Sequence, residues 1–101
     1  MRGENMEKEK VLYVLRSSLP RLKALKVQSV AVFGSTARDE AGMDSDVDVL
    51  VEFSERATFD RYMEVKFLLE DMLGKRVDLV TRGALKPRMR PQVEQEAIYV
   101  S

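Results

Sequence analysis

Residues 47–53 read Val-Asp-Val-Leu-Val-Glu-Phe, and this alternation constrains the fold more than any other feature of the sequence. Successive side chains of a β-strand point to opposite faces of a sheet, so the pattern predicts a strand with one packed face and one acidic face. The packed face would comprise Val47, Val49, Val51 and Phe53, and the opposite face Asp46, Asp48, Leu50 and Glu52. The chain must therefore contain a sheet that other elements cover.

Helices and further strands are predicted on either side of this strand. β-Branched and aromatic runs at 29–33 and 77–80, and a short run at 98–100, are typical of strands. Apolar spacing predicts amphipathic helices at 5–18, at 58–73 with a cap at Thr58 or Asp60 and a stop at Gly74, and at 91–97 after a loop or turn at 83–90. Pro20 is expected to end the first helix, so that 20–25 forms a separate helical turn. These elements predict an α/β (α+β) fold.

Size and composition limit the chemistry that this chain can perform. With 101 residues we expect one domain, 1–101, with a radius of gyration of about 13 Å and no separate substrate domain. The absence of Cys and His excludes disulfides, thiol and imidazole catalysis, and zinc sites with soft ligands. Catalysis would depend on carboxylates, hydroxyls, Lys, Arg or a hard metal ion.

Charge and hydropathy limit the partners. Lys plus Arg and Asp plus Glu number 17 each, and zero net charge argues against a general nucleic-acid clamp. No run approaches the roughly 20 apolar residues of a membrane span, and the first residues are charged. We therefore expect a cytoplasmic protein with no membrane association and no direct nucleic-acid binding.

Three aspartates are candidates for metal ligands. Asp46 and Asp48 would point to the same side of one strand, where two carboxylates at about 4 Å repel by about 4 kcal/mol at an effective dielectric near 20. Magnesium suits such a pair because it takes oxygen ligands and keeps positions for water and phosphates. If the second and third strands are neighbours, Asp78 joins the pair and completes a two-metal site for phosphoryl transfer. Solvated acids at strand ends are the alternative interpretation.

A glycine turn follows the first predicted strand. Gly34 would let the backbone approach a phosphate, while the Ser35 hydroxyl and the free amides of a helix that starts near Thr36 would act as donors. Taken alone, the pattern describes only a strand-to-helix turn, since no Gly-x-x-x-x-Gly-Lys sequence occurs.

The motifs stand in a fixed order: Phe-Gly-Ser-Thr-Ala-Arg at 33–38, Ser-Asp-Val-Asp-Val-Leu-Val at 45–51 and Val-Asp-Leu-Val at 77–80. The combined pattern resembles the nucleotidyltransferase superfamily related to DNA polymerase beta. Within it, the chain is similar to the minimal nucleotidyltransferase (MNT) antitoxins, the partners of HEPN-domain toxins in prokaryotes. The resemblance covers nearly the whole chain and implies the nucleotidyltransferase-type fold, a small mixed sheet with helices packed against it.

The resemblance implies roles for the glycine turn. Gly34 and Ser35 would hold the triphosphate of the incoming nucleotide, and Arg38 would steady its phosphate charge. The chain departs from the wider family at Asp39, where many members have glycine, and this departure puts the local loop geometry in question.

The resemblance also implies the reaction. Asp46 and Asp48 would ligate two Mg²⁺ ions, and Asp78 would complete the metal site and accept the proton of the attacking hydroxyl. The enzyme would transfer AMP from ATP to a tyrosine of a HEPN toxin, release pyrophosphate and so silence the toxin.

Two other functions stay open. The chain could be a binding module that neutralises its partner by occlusion, although all the expected acids are present. It could instead modify a small molecule, which the lack of a second domain disfavours.

Two further patterns have more than one interpretation. Residues 39–55 hold seven acids and no base, whereas 75–90 hold six bases and one acid, so a metal-binding rim and a surface for an anionic partner are possible, as are two solvated surfaces. The predicted helix at 58–73 has a broad apolar stripe that would serve as core or, in part, as a partner interface. The stripe comprises Phe59, Tyr62, Met63, Leu69, Met72 and Leu73, widened by Phe67 and Leu68.

Overall fold

The computed structural model describes residues 3–38, 40, 42 and 45–101, with side chains from residue 8 onward. In chain order its elements are α1 (Gly3–Ala24), β1 (Val27–Phe33), α2 (Gly34–Ala37), β2 (Val47–Phe53), α3 (Phe59–Leu73), β3 (Val77–Thr81), a 3-10 turn (Arg82–Ala84), α4 (Arg90–Glu96) and β4 (Ile98–Tyr99). The radius of gyration is 12.9 Å, close to the value expected from chain length. None of the helices described is long and apolar enough to cross a membrane.

The four strands form one mixed sheet in the order β3-β2-β1-β4. β1 is antiparallel to β2 and to β4, whereas β2 and β3 run parallel. The second and third strands of the chain are therefore neighbours, which was the condition for bringing Asp78 to the aspartate pair. The predicted α/β fold with a mixed sheet is confirmed.

Helices α1 and α3 cover one face of the sheet and form the main core with it. Leu15, Leu22 and Leu69 are fully buried there against the valines of the three longer strands. A smaller apolar cluster lies on the opposite face and consists of Ala31, Leu50, Leu85 and Val93. Because the segment around α4 covers the middle of this second face, Leu50 is buried there, while Asp48 and Glu52 on either side of it stay partly exposed.

The expectation that Pro20 ends the first helix is wrong. Helix α1 runs through Pro20 to Ala24, so the predicted helices at 5–18 and 20–25 are one element. Leu15 and Leu22 pack into the same core on either side of the proline, while Pro20 itself is exposed. The Arg16 carbonyl that a proline leaves without an N–H donor thus lies on the solvent side, where water can take the donor's place.

Helix α3 begins and ends as its sequence predicts, but part of its apolar stripe is not core. The Thr58 hydroxyl accepts a hydrogen bond from the Arg61 amide, and Gly74 closes the helix in the left-handed conformation. Phe59 and Phe67, however, are 75% and 57% exposed. The core uses the narrower face centred on Val65 and Leu69, because one helix buries only one side against a sheet.

Candidate active site

Asp48 and Asp78 lie side by side across the parallel strands β2 and β3. They are paired in register, and each is the second residue of its strand. Since side chains of paired residues project to the same face, the two carboxylates meet on the face that the main core does not use. Asp48 is partly buried, and Asp78 is exposed. The structure thus brings together two of the three aspartates that the sequence singled out.

The proximity of these acids changes the ionisation of Asp48. Its pKa is raised to about 6, first by burial and then by the negative charge of Asp78, a hydrogen bond with Asp78 and the charge of Asp46. Arg38 acts in the opposite direction but more weakly. The site therefore contains more negative charge than its own cations neutralise, which is an arrangement that favours binding of a divalent cation.

Asp46 is near this pair, but its carboxylate is directed to a base. It lies one residue before β2, its side chain is about half exposed, and its Oδ1 is 3.4 Å from Arg76 Nε. Among the residues that the structure describes, no three acidic side chains are gathered closely enough to surround one ion. Asp46 is thus paired with Arg76 instead of with the other two carboxylates.

The donor chemistry nevertheless fits magnesium. The three side chains offer carboxylate oxygens, the hard ligands that Mg²⁺ prefers, and exposed Asp78 leaves an open side for water or phosphate. To complete the set, Asp46 has to rotate away from Arg76, whose side chain is 81% exposed. The three-ligand site stays a prediction.

The position of the Asp48 side chain leaves no room for a Cβ atom at residue 34, which is a glycine. Its φ is +72°, and a Cβ atom at this position would lie 2.0 Å from Asp48 Oδ2 and 3.0 Å from Asp48 Cγ. The sequence suggested that Gly34 leaves room for a phosphate, but in the structure its first neighbour is the carboxylate. The glycine turn and the acidic pair are therefore in direct contact, and one cannot change without the other.

Ser35 and Arg38 follow Gly34 in the short helix α2. Ser35 is partly buried at the first turn, and Arg38 caps the helix with its amide bonded to the Gly34 carbonyl at 3.1 Å. The Arg38 guanidinium donates from Nε to Glu40 at 3.0 Å and from Nη1 to Glu96 at 3.1 Å. Asp39, where the sequence departs from the wider family pattern, lies outside the described residues.

Glu96 is a residue at this site that sequence reasoning missed. Its Oε1 accepts a hydrogen bond from the Gly34 amide at 2.8 Å as well as from Arg38. Gly34 and Glu96 are 62 residues apart in the chain, and a glutamate at the end of a short helix is indistinguishable in sequence from a solvated one. The contact between Asp46 and Arg76 was missed as well, because these residues are also distant in the chain.

Comparison with known proteins points to one family. The model of the nucleotidyltransferase domain family matches residues 12–100. The protein adenylyltransferase MntA of Thermococcus cleftensis is 45% identical over 74 residues, which are 73% of this chain and 75% of the relative.

Solved structures agree with the sequence comparison. A candidate minimal nucleotidyltransferase superposes with a TM-score of 0.76 at 44% identity, over 88% of this chain and 92% of that one. The complex of an MNT antitoxin with the tri-AMPylated HEPN toxin of Shewanella oneidensis contains a chain that superposes with a TM-score of 0.60, over 97% of this chain and 71% of that one. At 21% identity, this second likeness supports the fold alone.

Proposed function

Because the chain belongs to the nucleotidyltransferase family, in its minimal (MNT) form, we propose that it transfers AMP from ATP to a hydroxyl group of a partner protein. The observation that carries the proposal is the in-register pair Asp48 and Asp78, packed against the Gly34 turn. Acids beside a strand-to-helix turn place metal ligands and phosphate donors next to each other. A triphosphate needs both, since its charge must be neutralised and its α-phosphorus held in line with the acceptor.

In the proposed reaction, Asp78, Ser35 and Arg38 have different roles. The acceptor oxygen forms a bond to the α-phosphorus, and the bond from that phosphorus to the oxygen bridging to the β-phosphate breaks, so pyrophosphate leaves. Asp78, the exposed member of the pair, accepts the hydroxyl proton. Ser35 and Arg38 hold the phosphates with a hydroxyl and a guanidinium. This last assignment follows from their place on the turn that touches Asp48.

We assign Asp46, Asp48 and Asp78 as the ligands of two Mg²⁺ ions. When bound, magnesium neutralises charge on the phosphates and lowers the pKa of the attacking hydroxyl. The chain's own contribution is to hold Asp48 and Asp78 at one register position. Burial of Asp48 is the main cause of its raised pKa, and the like charge of Asp78 at the same register position adds to it, because both disfavour the ionised carboxylate.

We propose that the acceptor is a tyrosine of a HEPN-domain toxin and that the modification makes this protein an antitoxin of the cytoplasm, where ATP is available. The support is the name of the Thermococcus relative, a protein adenylyltransferase, and the fold shared with an antitoxin bound to an AMPylated HEPN toxin. Exposed Asp78 also leaves the reaction centre open to an acceptor on another protein.

One observation favours a second candidate, an antitoxin that acts by occlusion. Phe59 and Phe67 are exposed on α3, at positions separated by two helical turns. An exposed aromatic surface of this kind is common at protein interfaces. The two functions differ in whether neutralisation requires the acids.

The test is transfer of label from ATP labelled at the α-phosphate to the co-purified HEPN protein. We expect Asp48→Asn, and separately Asp46→Asn, to reduce label transfer by at least about a hundredfold, because each removes a charged metal ligand. Asp71→Asn is the matched control, since Asp71 is an exposed acid on α3. Undiminished transfer by the double variant Asp46→Asn, Asp48→Asn would refute the assignment.

A further inference from the structure

Glu96 connects the C-terminal part of the chain to the glycine turn. Its carboxylate accepts from the Gly34 amide at 2.8 Å, and Arg38 Nη1 lies 3.1 Å from Oε1 and 3.3 Å from Oε2. The Glu96 side chain is only 19% exposed, whereas that of Arg38 is 42% exposed. One partly buried carboxylate thus contacts two groups, the backbone amide at the start of α2 and the guanidinium of the residue that caps its end.

The backbone around Glu96 is held on both sides. Val93, one turn earlier in α4, is 5% exposed and packs in the smaller core with Ala31 and Leu50. Directly after it, Ile98 and Tyr99 pair with β1 as the edge strand β4. The Glu96 carboxylate therefore projects from a backbone that is packed on one side and paired in the sheet on the other.

The carboxylate orders an otherwise flexible cation. An arginine side chain loses about 2 kcal/mol of rotamer entropy when it is fixed, so a partly exposed arginine is a poor preformed phosphate donor. In the structure, Glu96 accepts a hydrogen bond from Arg38 Nη1, and Glu40 accepts one from Arg38 Nε. Among the described residues no acceptor is bonded to Nη2, which leaves this donor of Arg38 available to a ligand.

We infer that Glu96 is a positioning residue for nucleotide binding: it fixes the Gly34 turn and the Arg38 guanidinium in the arrangement that receives the triphosphate. The inference rests on the proposed function, since Arg38 is a phosphate donor only if the ligand is a nucleotide. It adds a residue from the opposite end of the chain to the site. It also gives the end of α4, which supplies none of the proposed metal ligands, a role at the site.

If Glu96 instead competed with the nucleotide for Arg38, its removal would have the opposite effect on nucleotide affinity. If Glu96 occupied the place of a phosphate, its removal would free Arg38 and strengthen nucleotide binding. If it positions Arg38, its removal weakens binding, and the loss becomes smaller once Arg38 itself is absent, because only the contact with the Gly34 amide then remains to be lost. The sign of the change and its dependence on Arg38 therefore separate positioning from competition and from a merely structural role.

The experiment measures, by calorimetry, the affinity of the full chain for a non-hydrolysable ATP analogue with Mg²⁺. We expect Glu96→Ala to weaken binding about tenfold and Glu96→Gln to weaken it less, because the amide retains one neutral acceptor. Adding Glu96→Ala to Arg38→Ala should weaken binding further by clearly less than Glu96→Ala weakens it in the wild-type chain. In the transfer assay the KM for ATP should rise while kcat changes less than about twofold.

Glu94→Ala is the matched control. Glu94 lies in the same helix and forms an ion pair of 2.7 Å with Arg82, but it does not contact the turn. It should leave nucleotide affinity unchanged. Thermal melting of Glu96→Gln verifies that this milder variant is folded.

Two results would overturn the inference: unchanged or tighter binding by both Glu96 variants, or a Glu96→Ala effect that persists fully in the absence of Arg38. A wild-type chain that binds no nucleotide would instead overturn the proposed function, and the inference with it. These failures are distinguishable because the first two require a wild type that binds.

Discussion

At the scale of single residues, the site depends on an acid that is costly to ionise and a glycine that cannot be replaced. Asp48 is partly buried beside two other carboxylates, and its pKa is raised to about 6. Gly34 leaves the space that the Asp48 carboxylate occupies. Both features serve the proposed site. Their effects on the free energy of unfolding and on activity can be measured by substitution.

Asp48→Asn should stabilise the metal-free protein at alkaline pH. Because the folded-state pKa is higher than the reference value of 3.8, the folded state binds the proton more tightly, so the stability that protonation provides is lost as pH rises through about 6. Two pKa units correspond to about 3 kcal/mol, and we expect about 1 kcal/mol because the group is partly exposed. Melting in EDTA should show a gain of about 5 °C at pH 8.

The same comparison at pH 4 serves as the internal control. Both proteins are then close to neutral at this position, so the difference in melting temperature should nearly vanish. Asp71→Asn, an exposed acid on α3, should show no such pH dependence. An equal gain at both pH values would mean that the ionisation of Asp48 is not its cause.

Gly34→Ala should impair the protein more than Gly74→Ala, in both stability and AMP transfer, although both glycines have a left-handed backbone conformation. Their φ angles are +72° and +68°, so either alanine costs roughly 1 kcal/mol of backbone strain. The Gly34 Cβ also meets Asp48, whereas nothing lies within 4 Å of a Cβ at Gly74. Gly34→Ala should therefore displace Asp48 and reduce AMP transfer at least about tenfold, while folded Gly74→Ala retains transfer. Comparable activity in the two variants would contradict the close contact between turn and acid.

At the scale of elements, packing decides what local propensity leaves open. Pro20 is a helix breaker by propensity, yet α1 continues through it because Leu15 and Leu22 are both buried against the sheet. Helix α3 shows the converse, since Phe59 and Phe67 are apolar but have no place in the core. In both helices the position of the sheet overrides the pattern of the sequence.

Pro20→Ala should stabilise the protein. The substitution restores an N–H donor within α1 and removes the contact of the proline ring with the preceding turn, a gain that exceeds the lost rigidity of the unfolded chain. We expect about 1 kcal/mol, seen as an increase of at least about 4 °C in melting temperature. Lys23→Ala, at an exposed position of the same helix, is the control for intrinsic alanine propensity. A lower melting temperature for Pro20→Ala would show that the proline is required where it stands.

At the scale of the whole molecule, opposite charges are separated along the chain although the net charge is zero. Seven acids lie in 39–55 and six bases in 75–90. The bases include Arg76, which contacts Asp46, and Arg82, which contacts Glu94, so part of the basic segment serves the fold and the site. Lys86, Arg88 and Arg90 remain exposed and are available to a partner.

Asp78→Asn separates an enzymatic antitoxin from an occluding one. Asp78 lies beside Asp48 on the sheet and not on the aromatic surface of α3, so its loss should stop the chemistry without disturbing a partner interface there. With a co-expressed HEPN partner, we expect the variant to co-purify, add no nucleotide mass to the partner and fail to protect cells. Glu94→Gln, an exposed acid on α4 and away from the aromatic surface of α3, is the control that should keep both properties. Full protection by Asp78→Asn with an unmodified partner would establish occlusion.

The elements that carry the motifs could be predicted from the amino-acid sequence. The alternation in 47–53 predicted β2 at its observed bounds, and the Thr58 cap and Gly74 predicted α3, because these signals are local and their physics acts within a few residues. The order of Gly-Ser, Asp-x-Asp and a later Asp likewise predicted the family without any coordinates.

Contacts between residues distant in the chain could not be predicted from the sequence and depend on the fold. The register of β2 and β3 places Asp48 against Asp78, and the sheet order places Glu96 against Gly34 and Arg38. Arg76 and Glu96 carried no local signal because an ion pair between distant residues depends on chain topology, which neither periodicity nor composition encodes. The same long-range packing carried α1 through Pro20, since burial of two leucines on one helix outweighs the loss of one hydrogen bond.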